Sequence, residues 1–416
     1  MDQEHAGEDH ICIVGAGQAA ASLALRLRHG GYSGALTLFG DEPHPPYQRP
    51  PLSKAYLKRE WTVDRLYLRP AEFWSGIGVD VVTGAPVTAI DPVARTLQVG
   101  GRKVAWTKLA LATGTRPRPL PPEFAGLSGV YELRGLADAD RLAGEIRPGR
   151  RLLVLGGGYV GLETAAVAAK AGLTVTVVER AARILERVAC AETSDAIRAL
   201  HAGHGVRILE GRSVTGVEAR EGAVAAVTLD DGTRLEVDAV LVGIGVLPRD
   251  ELARAAGLDC ENGIVVDVHG RTSVGGNWAP GIWAAGDCAS FPFQGLPTRL
   301  ESVQNAVDQA ECAADDMLGQ TRSYAPVPWF WSDQYDMKLQ IVGLNRGYDG
   351  VVRRRSERGE SLWYFREGRM IAVDALNDAR TYMAAKKLLE AGAVVTLDEV
   401  AAEGFDPVAR MKRAAA

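Results

Sequence analysis

Two glycine-rich turns carry the chemistry that this sequence is best suited to perform. Residues 15–20 (Gly-Ala-Gly-Gln-Ala-Ala) follow the apolar run 11–14, and residues 156–161 (Gly-Gly-Gly-Tyr-Val-Gly) follow the apolar run 151–155. In such a strand–turn–helix unit the glycines allow a tight turn and a close approach of a pyrophosphate, which the helix N-terminus binds. One such turn is also found as a plain structural turn. Two of them predict two dinucleotides bound side by side, with a hydride passed between them.

An acidic residue follows each turn, about 20 residues on, where a ribose hydroxyl needs an acceptor. Asp41 or Glu42 serves the first turn, and Glu179 serves the second. A carboxylate in this place accepts hydrogen bonds from both ribose hydroxyls and repels a 2′-phosphate, so the second site is predicted to bind NAD. NADP stays an alternative, because three nearby arginines could pair with that phosphate: Arg180, Arg183 and Arg187.

Composition and charge exclude several classes of protein. The chain has 416 residues, 47% of them hydrophobic and 24% charged, with a net charge of −5. This charge does not suggest a nucleic-acid binder, and no run of about 18 apolar residues predicts a transmembrane helix. Residues 1–10 are acidic and polar, without the basic and apolar regions of a signal peptide, so a cytoplasmic protein is expected.

The cysteines predict neither a metal site nor a dithiol centre. None of the five forms a C-x-x-C pair or lies near a histidine at metal-ligand spacing, although spacing alone leaves a long-range dithiol open. A scattered, odd number of cysteines fits a reducing compartment. They are Cys12, Cys190, Cys260, Cys288 and Cys312.

The remaining pattern predicts an α/β protein with two Rossmann-like domains and a C-terminal α+β domain. Short strands at 79–82, 85–90, 96–99 and 104–106 suggest an antiparallel insertion. The proline-rich stretch 44–53 predicts a stiff loop that walls a ligand, with Ser53 capping a following helix. Further along, Asp287 ends a buried strand, residues 302–318 predict a helix, and strands followed by a late helix fill 326–416.

With these motifs in place, the chain resembles the FAD-dependent, NADH-using ferredoxin reductases of bacterial oxygenase systems. These belong to the glutathione-reductase-like flavoproteins. The resemblance covers nearly the whole chain, and Ala20 in place of the third glycine is its one departure. Its marks are both glycine turns and the segments 49–54 (Arg-Pro-Pro-Leu-Ser-Lys), 111–114 (Leu-Ala-Thr-Gly), 285–288 (Ala-Gly-Asp-Cys), 301–306 (Glu-Ser-Val-Gln-Asn-Ala) and 328–334 (Pro-Trp-Phe-Trp-Ser-Asp-Gln).

The resemblance implies a domain order and a set of cofactor contacts. An FAD domain takes residues 1–115 and 246–323, an NAD domain takes 116–245, and a C-terminal α+β domain takes 324–416. The implied FAD contacts are Gly15, Gly17, Ala19, Asp41, Lys54, Val87, Ala112, Arg134, Asp287, Val303 and Trp329. The implied NAD contacts are Gly158, Tyr159, Val160, Glu163, Glu179, Arg187 and Gly245.

The resemblance also implies roles for a few side chains, beside which a structural role stays open for each. Lys54 would stabilise negative charge on the reduced flavin, and Glu163 would pair with Lys54 or orient the nicotinamide amide. Asp287 would bind the ribityl chain. Trp329 and Trp331 would lie near the flavin edge. The alternatives are a surface lysine, a helix contact, a turn cap and plain hydrophobic core.

The implied partner is a [2Fe–2S] ferredoxin that supplies a cytochrome P450 or a ring-hydroxylating oxygenase, and the implied assembly is a monomer or weak dimer. Ferredoxins are acidic, so a basic docking face is expected. Its candidates are Lys54, Lys58, Arg59, Arg65, Arg69 and Arg299. Two other functions stay open: a disulfide or peroxide reductase, and an NADH-binding signalling protein like apoptosis-inducing factor. The missing C-x-x-C pair argues against a disulfide reductase, and Cys12, which precedes the first glycine turn, is badly placed for a peroxide reductase.

Overall fold

The fold was analysed in a computed structural model, which describes residues 9–357 and 359–415. Most of the segment on which the prediction of no signal peptide rests, residues 1–8, lies outside the described part. The chain divides into two compact units. The first contains the residues up to Arg49, Thr62–Arg116 and Val246–Pro326; the second contains Pro50–Trp61, Pro117–Gly245 and the residues from Val327 on.

The described residues form eleven α-helices and 27 strands, with short 3-10 helices at Pro50–Ser53 and Pro122–Phe124. The helices are α1 (Gln18–His29), α2 (Val63–Leu66), α3 (Ala71–Gly76), α4 (Leu136–Ala143), α5 (Tyr159–Lys170), α6 (Ala191–Gly203), α7 (Glu251–Ala255), α8 (Val303–Met317), α9 (Ala379–Glu390), α10 (Leu397–Ala401) and α11 (Pro407–Ala415). The strands are β1 (His10–Val14), β2 (Ala35–Phe39), β3 (Asp80–Val82), β4 (Val87–Asp91), β5 (Thr96–Val99), β6 (Arg102–Ala105), β7 (Lys108–Leu111), β8 (Thr115–Pro117), β9 (Val130–Tyr131), β10 (Arg151–Leu155), β11 (Thr174–Glu179), β12 (Arg207–Glu210), β13 (Val214–Arg220), β14 (Ala223–Leu229), β15 (Arg234–Glu236), β16 (Ala239–Val242), β17 (Val246–Pro248), β18 (Ile264–Val265), β19 (Arg271–Val274), β20 (Asn277–Ala284), β21 (Ala289–Phe293), β22 (Leu296–Thr298), β23 (Trp329–Gln334), β24 (Met337–Gly343), β25 (Gly350–Arg355), β26 (Glu360–Arg366) and β27 (Arg369–Leu376).

The first unit is built on a six-stranded sheet in the order β19-β20-β7-β1-β2-β3. Every neighbouring pair is parallel except β19 with β20. All five residues of β1 are buried, as expected for a central parallel strand covered on both faces. Helices α1 and α8 pack against each other, and their alanines and leucines join the sheet residues Ile11 and Ile13 in one core.

Two small sheets complete the first unit, and one strand differs from the prediction. Strands β4, β5 and β6 form an antiparallel sheet, and β18, β21 and β22 form another of mixed direction. Residues 79–82 were expected to belong to the antiparallel insertion, but β3 instead pairs parallel with β2. Val79 is buried in the core of the large sheet, and this burial decides the pairing over the short spacing to the next strand.

The second unit contains a five-stranded parallel sheet in the order β12-β11-β10-β16-β9. Helix α5 connects β10 to β11 and packs on both. Strands β13, β14 and β15 form an antiparallel sheet whose residues Val224, Val227 and Leu229 join the parallel strands in a shared apolar cluster. The chain thus repeats the strand–turn–helix–strand arrangement of the first unit.

The C-terminal part of the second unit is a five-stranded antiparallel sheet, β23-β24-β27-β26-β25, followed by α9, α10 and α11. Its core is aromatic and aliphatic, with Trp363, Phe365 and Val373 fully buried. Helix α9 starts at Asp378, whose carboxylate accepts the backbone N–H of Thr381 at 3.1 Å. The predicted α/β fold with an α+β C-terminal part is therefore confirmed.

The segment Pro50–Trp61 contradicts one local prediction. Ser53 was expected to cap a helix, but residues 54–59 form turns, and Ser53 is the last residue of the 3-10 helix. Its hydroxyl donates to Glu163 Oε2 at 2.6 Å instead of accepting an N–H group at a helix N-terminus. The leucine Leu57 is buried among Leu142, Leu152 and other residues of the second unit, so long-range packing fixes this segment.

A buried carboxylate joins α6 to the C-terminal sheet. Asp374 is 1% exposed, and its Oδ2 accepts the hydroxyls of Thr193 at 2.8 Å and Tyr364 at 2.5 Å. Its Oδ1 has no hydrogen-bonding partner among the described protein atoms. Burial disfavours the charged form and outweighs the two hydroxyls, so the pKa of Asp374 rises from near 3.8 to about 6.

We predict that Asp374→Asn stabilises the protein in a pH-dependent way. An acid whose pKa is raised by folding stabilises the folded state at pH values below its ordinary pKa. For Asp374 this stabilisation is lost as the pH rises to about 6. The neutral amide keeps an acceptor for Thr193 and Tyr364, so at pH 8 the free energy of unfolding should increase by about 2 kcal/mol. The gain should vanish near pH 4 in denaturant titrations.

The matched control is Asp238→Asn, because Arg151 holds the pKa of Asp238 below its usual value. This variant should lose stability at pH 8. If the substitution Asp374→Asn increased the free energy of unfolding less at pH 8 than at pH 5, the account of a buried charge would be contradicted.

Candidate functional site

The first glycine turn lies in the first unit, between β1 and α1. Gly15 has φ +121°, and a Cβ built on it would lie 2.2 Å from the carbonyl oxygen of Ala112, which follows β7. Its N–H donates to the carbonyl of Phe39 at 2.8 Å. Gly17 precedes α1, and a Cβ there would meet no protein atom within 4 Å. The turn therefore needs Gly15 for its own geometry and leaves open space at Gly17.

The second turn repeats these features in the second unit. Gly156 has φ +100°, and its Cβ would lie 2.4 Å from the carbonyl oxygen of Gly243, which follows β16. Gly158 precedes α5, and a Cβ there would again meet nothing. Gly161 packs against the turn, since its Cβ would lie 2.4 Å from Gly156 O. Both turns thus share two features of a dinucleotide-binding turn: a first glycine in close contact with neighbouring backbone, and an open glycine just before the helix, where a pyrophosphate binds.

Glu179 lies beside the second turn, and its contact with the adenosine ribose stays a prediction. It is the last residue of β11, and its Oε2 accepts the N–H of Gly157 at 2.6 Å. Its Oε1 accepts the N–H of Ala181 at 2.7 Å. These two bonds hold the carboxylate at the carboxyl edge of the parallel sheet, beside the open glycine of the turn.

Of the three arginines near Glu179, Arg180 and Arg187 are exposed, and Arg183 is half-buried and hydrogen-bonded within the protein. Arg183 donates to the carbonyls of Ala189 and Cys190 and to the hydroxyl of Ser194, so its guanidinium is committed to the loop before α6. Arg187 is exposed and lies near Gly245, where a Cβ would be 3.7 Å from its Nη2. Gly245 follows β16 at the same edge of the sheet, and the exposed residue Val160 lies at the start of α5.

Asp41 and Glu42, the two candidate acids of the first turn, have separate partners. Asp41 binds Arg249 at 2.6 Å, and Glu42 accepts from Arg49 and Tyr47, both at 2.5 Å. Burial disfavours the charge of Asp41, but the hydrogen bond and charge of Arg249 outweigh it and hold the pKa of Asp41 below its usual value. Asp41 lies two residues after the end of β2, one residue further along the chain than the place that Glu179 takes in the second unit.

The other residues implied as FAD contacts divide between the two units. Ala19, Val87, Ala112, Asp287 and Val303 lie in the first unit, whereas Lys54, Arg134 and Trp329 lie in the second. Asp287 follows β20, and its carbonyl accepts from Arg299 at 3.1 Å. Val303 begins α8, whose cap is the hydroxyl of Ser302. Arg134 donates its backbone N–H to Asp138 at 3.0 Å.

Lys54 and Glu163 form a buried ion pair in the second unit. Lys54 Nζ lies 2.8 Å from Glu163 Oε1, and the two side chains are 18% and 5% exposed. The same oxygen accepts the hydroxyl of Ser332 at 2.6 Å, while Oε2 accepts that of Ser53. The expected Lys54–Glu163 contact is present, and Lys54 is not a free surface lysine. A buried carboxylate with a cation and two hydroxyls is a fully satisfied charge.

Ser53 and Ser332 were not predicted as partners of Glu163. Gln334, whose amide donates to Ser332 at 3.1 Å, was not predicted either. Ser332 and Gln334 lie two residues apart on β23, and alternate residues of a strand share one face. That spacing in the Trp-Ser-Asp-Gln motif was the available signal, but nothing local indicated which helix the face meets.

Trp329 and Trp331 share the opposite face of β23. Their rings lie 5.7 Å apart, and Lys386 Nζ lies 4.9 Å from the ring of Trp329. Both tryptophans are half-buried. Tyr159, the first residue of α5, packs against Phe330 at 4.8 Å, and its buried hydroxyl has no protein partner in the described residues.

The cysteines do not form a redox or metal site in the described residues. All five are free thiols, and no cluster of three histidine, cysteine or acidic side chains could hold a metal. Burial raises the pKa of Cys12 to about 12 and those of Cys260 and Cys312 to about 11. Thiols with raised pKa values are poor nucleophiles at neutral pH. Within the described part, no helix is long and apolar enough to cross a membrane.

Comparison with known proteins extends the similarity over nearly the whole chain. Residues 9–310 match the family model for pyridine nucleotide-disulphide oxidoreductases, and residues 329–415 match the reductase C-terminal family. The chain is 42% identical over 401 residues to rhodocoxin reductase of Rhodococcus erythropolis, covering 95% of this chain and 93% of that protein.

Two solved structures share the fold. Putidaredoxin reductase, in its covalent complex with putidaredoxin, is 39% identical with a TM-score of 0.93, covering 98% of this chain and 99% of that one. A ferredoxin reductase for the CYP199A2 system of Rhodopseudomonas palustris is 40% identical with a TM-score of 0.93, covering 98% and 100%. The resemblance inferred from the motifs is confirmed, and the chain belongs to the pyridine nucleotide-disulphide oxidoreductase family.

Proposed function

We propose that this chain is an FAD-dependent ferredoxin reductase. It takes a hydride from NADH and passes single electrons to a [2Fe–2S] ferredoxin, which supplies a cytochrome P450 or a ring-hydroxylating oxygenase. The observation that carries the proposal is the pair of glycine turns, one in each unit, both open where a pyrophosphate binds. Its similarity to rhodocoxin reductase and to putidaredoxin reductase supports the acceptor.

The first turn is assigned to FAD and the second to NADH. On this assignment residues 1–115 and 246–323 bind FAD, 116–245 bind NADH, and 324–416 form the C-terminal domain. FAD would be held by the first turn and by Asp41, Val87, Ala112, Asp287 and Val303, and the FAD contacts implied for Lys54, Arg134 and Trp329 stay predictions. NADH would be held by the second turn, Glu163, Glu179, Arg187 and Gly245.

The preference for NADH over NADPH rests on Glu179. Its carboxylate is fixed by two backbone N–H groups at the edge where the adenosine ribose binds. A 2′-phosphate would meet this charge at close range, while ribose hydroxyls would find acceptors. Arg183 is occupied by the loop before α6 and does not compensate. The exposed Arg187 is free to serve the pyrophosphate instead.

In hydride transfer the protein mainly positions the reactants and stabilises charge, and a side-chain acid or nucleophile matters less. Bound FAD would supply the hydride acceptor and the single-electron steps that no side chain supplies. This chain's part is to orient the nicotinamide, since orientation provides much of the acceleration in such reactions. The Lys54 ammonium, held by Glu163, would stabilise negative charge next to the flavin ring.

The ferredoxin docking face is assigned to exposed basic residues near the flavin. Lys54 and Arg299 are poor candidates, because both are ion-paired and their side chains are only 18% and 9% exposed. Lys58, Arg59, Arg65 and Arg69 remain. Complementary charge on an acidic ferredoxin would raise the association rate more than the affinity. The protein is assigned to the cytoplasm, where five free thiols stay reduced, and to a monomer or weak dimer.

The alternative of a disulfide or peroxide reductase finds no support in the thiols. The cysteines have no C-x-x-C pair, and those of raised pKa lack thiolate character. The signalling alternative differs in kinetics. It predicts slow reduction by NADH and no stimulation by ferredoxin, whereas the proposed function predicts fast reduction followed by reoxidation on addition of a [2Fe–2S] ferredoxin.

We expect NADH, and not NADPH, to bleach the flavin rapidly in anaerobic stopped-flow measurements. Glu179→Gln removes the charge that repels the 2′-phosphate, so the ratio of NADH to NADPH rates should fall by about tenfold, or about 1.4 kcal/mol. Glu218→Gln is the control, since that exposed glutamate pairs only with arginine on the β13–β15 sheet. Equal rates with both nucleotides in the wild type would contradict the role of Glu179.

Alanine at the open glycine of each turn should separate the two nucleotide sites. A methyl group at Gly17 or Gly158 meets no protein atom, so both variants should fold. Gly17→Ala should be purified with much less FAD per chain. Gly158→Ala should retain FAD and raise the NADH concentration for half-maximal reduction about tenfold or more.

Gly76→Ala is the matched control, because a Cβ there also meets nothing and Gly76 lies at the end of the short helix α3. Flavin content is read from absorbance and folding from circular dichroism. Normal FAD content in Gly17→Ala, or loss of FAD in Gly158→Ala, would reverse the assignment of the two turns.

A further inference from the structure

A row of buried polar side chains leads from Glu163 through the second unit to α6. Ser332 and Gln334 on β23 come next, followed by His201 on α6, and their residues are at most 4% exposed. Tyr335, half-buried in the turn after β23, ends the row. Five polar groups in a row in an otherwise apolar interior need a full set of hydrogen bonds, and the mechanism proposed above uses only Glu163.

Each member of the row contacts the next. Ser332 Oγ lies 2.6 Å from Glu163 Oε1, and Gln334 Nε2 lies 3.1 Å from Ser332 Oγ. His201 Nε2 lies 2.8 Å from Gln334 Oε1, and the Tyr335 hydroxyl lies 3.4 Å from His201 Nδ1. The row is therefore continuous, with its longest contact at the tyrosine.

The charge on Glu163 dictates the direction of every bond in the row. Paired with Lys54, the carboxylate is ionised and only accepts, so Ser332 must donate its single hydroxyl proton to it. Ser332 then accepts from the Gln334 NH₂, which turns the Gln334 carbonyl toward His201. His201 must carry its proton on Nε2, and its unprotonated Nδ1 accepts from Tyr335.

Burial keeps His201 neutral and so preserves this tautomer. Desolvation lowers the pKa of His201, and the nearby His204 lowers it further, against a smaller opposing effect of Gln334. His204 stacks on the Tyr335 ring at 3.7 Å, and Lys170 Nζ lies 5.8 Å from the same ring. Neither His204 nor Lys170 is a member of the row.

The amide in the middle shows that the row is not a proton wire. A hydroxyl or imidazole can accept a proton on one side and release another, but a glutamine passes one only through a high-energy imidic acid. The row therefore transmits orientation and polarisation instead of protons. Aligned hydrogen bonds of this kind strengthen one another in a low-dielectric interior.

We propose that His201 is a positioning residue for the Lys54–Glu163 pair, acting through Gln334 and Ser332. This inference rests on the proposed function, in which Lys54 faces the flavin. Without the His201 N–H donor, the Gln334 amide is free to turn its carbonyl toward Ser332 and take the serine proton from Glu163. The carboxylate then keeps more uncompensated negative charge beside Lys54, and reduction of the flavin becomes less favourable.

The first test reads the imidazole directly and does not depend on catalysis. Long-range ¹H–¹⁵N spectra of histidine-labelled holoenzyme distinguish the protonated from the unprotonated ring nitrogen, and His201→Gln identifies the resonances. We expect the Nε2–H tautomer in the wild type, and a mixture of tautomers in Ser332→Ala, where the link to Glu163 is cut. An Nδ1–H tautomer in the wild type, or no change in Ser332→Ala, would overturn the proposal.

The second test measures the flavin midpoint potential by anaerobic dye equilibration. His201→Phe keeps a ring of similar size but removes the N–H donor. The equilibrium constant for reduction of the flavin should fall about threefold to tenfold, and a tenfold fall is about 30 mV for two electrons. His201→Gln offers an N–H donor to Gln334 and should restore most of the wild-type potential. His204→Gln, which leaves the row intact, should have the wild-type potential.

The outcomes separate this inference from the proposed function. If His201→Phe folds and binds FAD with an unchanged potential, the positioning role is wrong even though NADH still reduces the protein. If the wild type fails to react with NADH, the proposed function fails, while the tautomer spectra still test the row. If His201→Phe does not fold, Ser332→Ala decides, because a wild-type potential together with a wild-type His201 tautomer in that variant would overturn the proposal.

Discussion

In both large sheets the turn after the central strand passes so close to neighbouring backbone that its first residue has no room for a side chain. The first glycine of each turn lies against the backbone that follows the adjacent strand: Gly15 against Ala112, and Gly156 against Gly243. This close approach fixes the direction in which the chain leaves the central strand and therefore where α1 and α5 begin. The open glycine two residues on then lies at the helix N-terminus, where N–H groups have no partner within the helix. A structural requirement thus creates the binding surface.

The second unit contains two buried carboxylates in opposite circumstances. Glu163 has a lysine and two serine hydroxyls, so its charge is compensated within the protein. Asp374 has two hydroxyls, one oxygen without a protein partner and no cation, and burial raises its pKa to about 6. Low dielectric strengthens both sets of hydrogen bonds and penalises whatever stays unpaired. The difference explains why one carboxylate serves as a fixed charge while the other weakens the fold at high pH.

Local pattern predicted those elements whose character is set by neighbouring residues. The strand predicted at 96–99 and the helix predicted at 302–318 are present as β5 and α8, because neighbouring residues decide both elements. The predictions failed where distant packing decided the outcome. Residues 79–82 joined the large parallel sheet through the buried Val79, and the segment after Ser53 formed turns because Leu57 is held in a distant core.

The sequence by itself determined the two glycine turns, the acids that follow them and the absence of paired cysteines. These features lie within short stretches of chain, where spacing alone fixes geometry. Only the tertiary structure decided what surrounds Glu163. Ser53 and Lys54 come from one segment and Ser332 from another, both far from Glu163 in the chain, and His201 joins them through Gln334. Side chains meet there because buried polar groups must find partners across packed elements, and sequence spacing carries no record of which elements will pack.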